Sequence, residues 1–168
     1  MGRGLEWDGV TTADTGATPK IELHVHLEGT IRPATLLEIA RRNDQPLPAA
    51  TVEDVQRLYE FADFKEFIDA WILTTNCLRT VDDFRQVVVE YAAEAAGHGA
   101  VYLEGIFSPG ERVMRGVRWE DIFTGYTTGA AEAYQRYGVT VRLTPDLYRG
   151  LDPQLAVECA QWAVRYRD

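Results

Sequence analysis

Lys20-Ile21-Glu22-Leu23-His24-Val25-His26-Leu27-Glu28-Gly29-Thr30 alternates apolar and polar side chains from Ile21 to Glu28. Period two is the signature of a β-strand, because successive side chains point to opposite faces. On that reading His24 and His26 are neighbours on one face, roughly 6.6 Å apart along the strand, and Glu28 follows them. Each imidazole can turn a ring nitrogen toward a shared point about 2.0–2.1 Å away, the usual zinc–nitrogen distance. Gly29 then frees the backbone for a sharp turn. The same pattern also describes an ordinary polar face on a half-buried strand, since a bare His-x-His is a weak motif. Context separates the two readings: these imidazoles end an apolar strand, directly before a glycine and a helix start.

Working outward, Pro33 suits the first turn of a helix, and Leu36, Leu37 and Ala40 follow at helical spacing. Pro46 and Pro48 prevent that helix from continuing much past Asn43. Thr51 with Asp54 three residues on reads as a capping box for a short helix. Phe61, Phe64, Phe67 and Trp71 recur at helical steps, one face of a further helix. Aromatics at this spacing ordinarily bury in a core. Thr80 with Asp82 and Asp83 opens another helix, which Gly97 and Gly99 end. His98, between those glycines, reads as a surface histidine at a helix end.

Ala100–Phe107 reads as a second, mostly buried strand, broken by Ser108-Pro109-Gly110. Trp119–Tyr137 reads as a helix in which Gly125 and Gly129, four apart, allow close packing on a sheet. Residues 139–143 form a third strand, and Asp152-Pro153 opens a last helix with Leu155, Cys159, Trp162 and Tyr166 as its stripe. Strands alternating with helices predict an α/β fold with a parallel sheet. A (β/α)8 TIM barrel closes with eight strands, typically in about 250 residues, and carries its chemistry at the C-terminal strand ends. Residues 20–168 supply three parallel strands, with a helical insertion after strand 1, and are at most the opening segment of such a barrel, a partial barrel. Residues 1–19, polar and rich in glycine and threonine, read as a disordered leader.

The composition, 46% hydrophobic and 26% charged over 168 residues, is that of a globular protein. A net charge of −9 argues against a nucleic-acid partner, whose phosphates call for Lys and Arg. No apolar run reaches the roughly 18–20 residues of a membrane span, and the first residues lack the apolar region of a secretory signal. Cys77 and Cys159 have no metal-type spacing and suit a reducing cytoplasm.

Pro19 to Pro33, running through His24-Val25-His26-Leu27-Glu28-Gly29-Thr30, resembles the opening motif of the adenosine deaminase family. That family, within the amidohydrolase superfamily, includes adenosine, adenine and aminodeoxyfutalosine deaminases. The resemblance covers nearly all of the chain after residue 19, but about half of a typical member. It implies a TIM barrel, one Zn(2+) and hydrolytic removal of a purine 6-amino group by a water that zinc acidifies. His24 and His26 are then metal ligands. His26, Glu28, Phe61 and Phe64 are then substrate-binding residues for a purine base or nucleoside, the two phenylalanines lying at the pocket mouth. The family's later histidines, its aspartate ligand and its His-Ala-Gly-Glu motif have no counterpart here, so no catalytic residue is placed in this chain. Adenosine deaminases typically carry aspartate, a ribose contact, where this chain has Glu28. The Leu-Glu-Gly form is closer to the adenine and aminodeoxyfutalosine branches. Ile106 stands where many relatives carry arginine, and Glu104 is a candidate partner behind the metal ligands or a buried acid paired to a base.

Two functions follow as expectations. One is a zinc aminohydrolase represented by its N-terminal half, inactive alone. The other is a non-catalytic half-barrel that binds a partner chain or itself through open sheet edges. A two-metal amidohydrolase or phosphoesterase is disfavoured, because no carboxylated lysine or second metal cluster is in view.

Overall fold

The structure, a computed structural model, describes residues 18–150 and 152–167. The expected leader lies outside them except for its last two residues. Strands β1 (Lys20–His26), β2 (Ala100–Phe107) and β3 (Thr140–Pro145) form one parallel sheet in the order β1-β2-β3. Four helices separate β1 from β2: α1 (Pro33–Arg42), α2 (Val52–Leu58), α3 (Phe64–Thr75) and α4 (Val81–Gly97). Between β2 and β3 lie α5 (Pro109–Met114) and α6 (Trp119–Tyr137), and α7 (Pro153–Arg165) follows β3. This is the α/β arrangement that the alternation implies.

Local chemistry sets the helix boundaries. Thr51 and Asp54 form a reciprocal capping box at α2, and Thr80 and Asp83 do the same at α4. Asp152 accepts the Gln154 N–H (2.9 Å) ahead of α7. Gly138, at φ +69°, closes α6 in the left-handed region that glycine enters without a Cβ penalty. Sequence reading missed α5. Ser108-Pro109-Gly110 does end β2, but Pro109 also occupies the first turn of a helix, where its fixed φ is already helical.

Helices α4 and α6 cover one face of the sheet. Leu103, Phe107 and Val141 from the strands are buried together with Phe84, Val88, Ile122 and Tyr126 from the two helices. Gly125 and Gly129 serve helix–helix contact, not the helix–sheet contact expected. A Cβ on Gly125 would lie 2.5 Å from the Val81 carbonyl oxygen, and one on Gly129 2.8 Å from that of Arg85. The missing side chains let the α6 backbone approach α4.

The other face of the sheet is bare among the described residues. Glu22 turns toward α4, where the Tyr91 hydroxyl donates to Oε2 (2.7 Å). Its neighbours Ile21 and Leu23 therefore face away from the helices, and they are 67% and 60% exposed. Parallel sheets are normally covered on both faces. No helix among the described residues is long and apolar enough to cross a membrane.

Candidate functional site

Strict alternation would send His24 and His26 to the side of Glu22, against α4. The structure places them otherwise, through a β-bulge. Glu22 pairs with Leu103 and Val25 with Gly105, so Leu23 and His24 together oppose the single residue Glu104. His24 takes a left-handed backbone, φ +62°. That conformation is uncommon outside glycine, although histidine is one of the residues enriched in it. The extra residue shifts the strand's parity. Val25 then follows Gly105 toward the helices, and His26 pairs with Ile106 on the bare face. The two imidazoles end up side by side, ring centroids 5.4 Å apart and 67° between planes. The expected adjacency is present, on the face opposite Glu22.

Beside them a cleft of ≈ 620 Å³ opens at the C-terminal ends of the strands. One wall is apolar: Phe67, Ile68, Trp71 and Ile72 from α3. Trp71 meets the His26 ring edge-on (5.8 Å, 83°) and also lies against Gly29, where a Cβ would sit 3.1 Å from the indole. Gly29 does lie in a turn, the 3-10 turn over Leu27–Thr30, but its φ is not in the left-handed region, so close approach to Trp71 is what calls for a glycine there. Phe61 and Phe64 do not line the cleft. They are 41% and 75% exposed, and both stack on Phe67 at its outer end. The aromatic stripe is thus neither core nor, at these two positions, pocket wall. Periodicity found the stripe, but the residues against the cleft are its C-terminal members, Phe67 and Trp71.

Glu28 also departs from expectation. After His26 the chain leaves the strand for a 3-10 turn over Leu27–Thr30, which rotates Glu28 inward to 2% exposure. Its Oε1 accepts the backbone N–H of Ser108 (2.8 Å), and it is absent from the cleft lining. Burial pushes the Glu28 carboxyl up to about 7, against the pull of the Ser108 N–H and of Arg112. Tyr126 lies close enough for the Glu28 charge to add to the burial that raises its own hydroxyl pKa. Even so, neither Tyr126 Oη nor Glu28 Oε2 has a partner in hydrogen-bonding geometry.

The polar wall of the cleft comes from residues that sequence reading passed over. Ser108 follows β2, and its hydroxyl donates to Asp146 Oδ2 (2.8 Å). Asp146 follows β3, and its N–H donates to the Phe107 carbonyl (2.8 Å). Ser108, Asp146 and Glu111 all line the cleft. Their only signal in the sequence is position, just past the C-terminal ends of two strands. Glu104 is half-buried and stands opposite Arg142 in the register of β2 and β3.

His24 and His26 fit two positions of a zinc site in donor type, because imidazole suits that metal. Among the described residues no group of three or more His, Cys, Asp or Glu could hold a metal ion.

Comparison with known proteins adds a lineage to this geometry. The sequence model of the adenosine deaminase family matches residues 19–168. An aminodeoxyfutalosine deaminase of Acidothermus cellulolyticus is 60% identical over 152 residues, 90% of this chain and 43% of that protein. An adenine deaminase of Chlorobium luteolum is 34% identical over 149 residues, 89% of this chain and 44% of that protein. Among solved structures, adenine deaminase from Arthrobacter aurescens matches with a TM-score of 0.81 at 29% identity, over 90% of this chain and 46% of that one. An amidohydrolase from Burkhoderia ambifaria, with bound Zn, matches with a TM-score of 0.80 at 27% identity, over 92% and 42%. The chain spans somewhat under half the length of these relatives. With its opening motif, its strand order and these likenesses, the chain belongs to the adenosine deaminase family.

Proposed function

We propose that this chain supplies the metal-holding first strand and the aromatic wall of a zinc-dependent aminohydrolase that removes the 6-amino group of a purine. The observation that carries the reading is the bulged β1, which brings His24 and His26 together beside the cleft. The 60% identity to an aminodeoxyfutalosine deaminase favours that substrate type over free adenine. When bound, zinc supplies an acidified water as the nucleophile at neutral pH. His24 and His26 hold the metal, and the edge-on contact with Trp71 restrains the His26 ring. Phe67 and Trp71 give the purine an apolar face and keep bulk water from it. Catalytic zinc sites use three protein ligands, so on this reading two imidazoles bind zinc weakly. Further ligands come from outside the described residues, and the chain alone does not turn over. Calorimetric zinc titration tests the assignment. The wild-type chain takes up zinc weakly and His24→Ala takes up none; equal uptake by both removes His24 as a ligand.

The bare sheet face favours a second reading, a half-barrel module that pairs with a partner chain or with itself through its open edges. Size-exclusion chromatography separates the two. A monomer with a cooperative melt speaks against the module.

A further inference from the structure

We propose that Asp146 is the specificity-determining acid of the cleft. It accepts hydrogen bonds from the sugar hydroxyls of a purine nucleoside, and the cleft thereby discriminates against both the free base and the 5′-phosphorylated nucleotide. The inference rests on reading the cleft as a purine site. Position 28, where resemblance puts a ribose contact, cannot serve in this structure. Glu28 is buried, lies off the lining and spends Oε1 on the Ser108 N–H. Asp146 occupies the equivalent rim after β3, one residue past Pro145, and does line the cleft.

Its geometry is set before any ligand arrives. The Asp146 N–H is tied to the end of β2, and the Ser108 hydroxyl holds one carboxylate oxygen. Ser108 is in turn held by Glu28 after β1, so a single chain of hydrogen bonds joins the rims of all three strands. Preorganisation of this kind lowers the cost of binding. An ionised carboxylate accepts and never donates. Its natural partners are therefore hydrogen-bond donors, and a nucleoside presents hydroxyl donors on its sugar. The aromatic pair Phe67 and Trp71 on the facing wall suits the base. Glu111, held by Arg112 (3.2 Å), adds a second carboxylate to the polar wall. The Arg112 guanidinium offsets the Glu111 charge, so the repulsion felt by a phosphate dianion at this wall comes from Asp146.

Calorimetry of the full chain with adenine, adenosine and adenosine 5′-monophosphate tests this, each variant being checked for a wild-type melt. The expected order is adenosine about tenfold tighter than adenine, with the nucleotide weakest. Asp146→Asn removes that tenfold advantage, leaves adenine unchanged and improves the nucleotide. Trp71→Ala weakens all three. If Asp146→Asn changes adenine and adenosine alike, or neither, or if the nucleotide binds best, the role of Asp146 is overturned while the purine site stands. If no purine binds the folded chain, or if Trp71→Ala leaves binding intact, the purine reading fails and takes this inference with it.

Discussion

On the helix-facing side of the sheet, Leu103, Phe107 and Val141 are buried beneath α4 and α6, and even the backbone contact between those helices is closed by two glycines. On the opposite side, Ile21 and Leu23 stand largely exposed, and the imidazoles of His24 and His26 share their space. One side is held by packing density, where every removed atom leaves a void. The other presents side chains that its own neighbours do not bury, on a backbone that adopts an uncommon conformation to aim them. Packing and the candidate site are thus divided across a single layer. Strained conformations persist only where the surrounding structure over-determines them, and here the packed side supplies that determination.

The contrast can be broken by substitutions of graded size. Phe84 is fully buried and packs on Tyr126 (ring centroids 5.2 Å apart). Phe84→Ala should cost about 3–5 kcal/mol in urea denaturation. A loss of under about 1 kcal/mol would mean that the covered side is not the source of stability. Next comes Asp83, whose buried carboxylate receives the N–H groups of Arg79 (2.9 Å) and Thr80 (2.7 Å), Asn43 Nδ2 (2.7 Å) and Arg42 Nη2 (2.5 Å). Asp83→Ala should cost about 3 kcal/mol, because these donors and the Arg42 charge lose their partner.

The same site gives a pH dependence. Burial alone would raise the Asp83 pKa, but the hydrogen bonds outweigh it and hold the group below its ordinary 3.8. A folded-state pKa below the unfolded one contributes stability that is full above the unfolded value and lost as pH falls through the folded one. The stability gap between wild type and Asp83→Asn should therefore be constant near neutrality and close below pH 3.8. A gap that persists in acid would place the stabilisation elsewhere.

Gly125→Ala sharpens the comparison further. In an exposed helix that change gains about 1 kcal/mol, but here the new methyl meets backbone at 2.5 Å. A net loss of about 2 kcal/mol in unfolding free energy is expected in urea denaturation. The smallest effect, and the one of opposite sign, belongs to the bare side. His24→Gly removes a left-handed penalty of about 1–2 kcal/mol and adds a glycine entropy cost of about 0.5–1 kcal/mol. Thermal melting should therefore stay level or rise slightly. A marked fall would show that the bulge is held by contacts of the His24 side chain.

Much of the covered side could be read from the sequence, because its signals are local and periodic. Thr51, Thr80, Asp152 and Gly138 mark their helix ends through single hydrogen bonds or a single dihedral angle. The rim yielded less. Period two brought His24 and His26 together, but by a rule that the strand itself breaks, since nothing in the residue types announces a bulge between Glu22 and Val25. Extending that rule to Glu28 failed because the chain changes to a 3-10 turn one residue earlier. The aromatic stripe was visible, but which end meets the cleft depends on where α3 begins. Asp63 caps that helix by accepting the Glu66 N–H (2.9 Å), which leaves Phe61 outside it. Ser108 and Asp146 stayed hidden, because residues after a strand look like any loop until the sheet brings their ends side by side.

The single surplus residue in β1 also bears on how related chains should be compared. Which side of the sheet receives the imidazoles depends on whether the count between Glu22 and His26 is matched or offset against β2. Losing Leu23 would remove the bulge yet leave both histidines on the bare side, opposite Glu104 and Ile106, in a regular strand. Losing two, or keeping the full length without the bulge, would turn the His26 imidazole toward the helices. In this segment the spacing of a gap is therefore as diagnostic as the residues that flank it, and an alignment scored on identity alone would miss the difference.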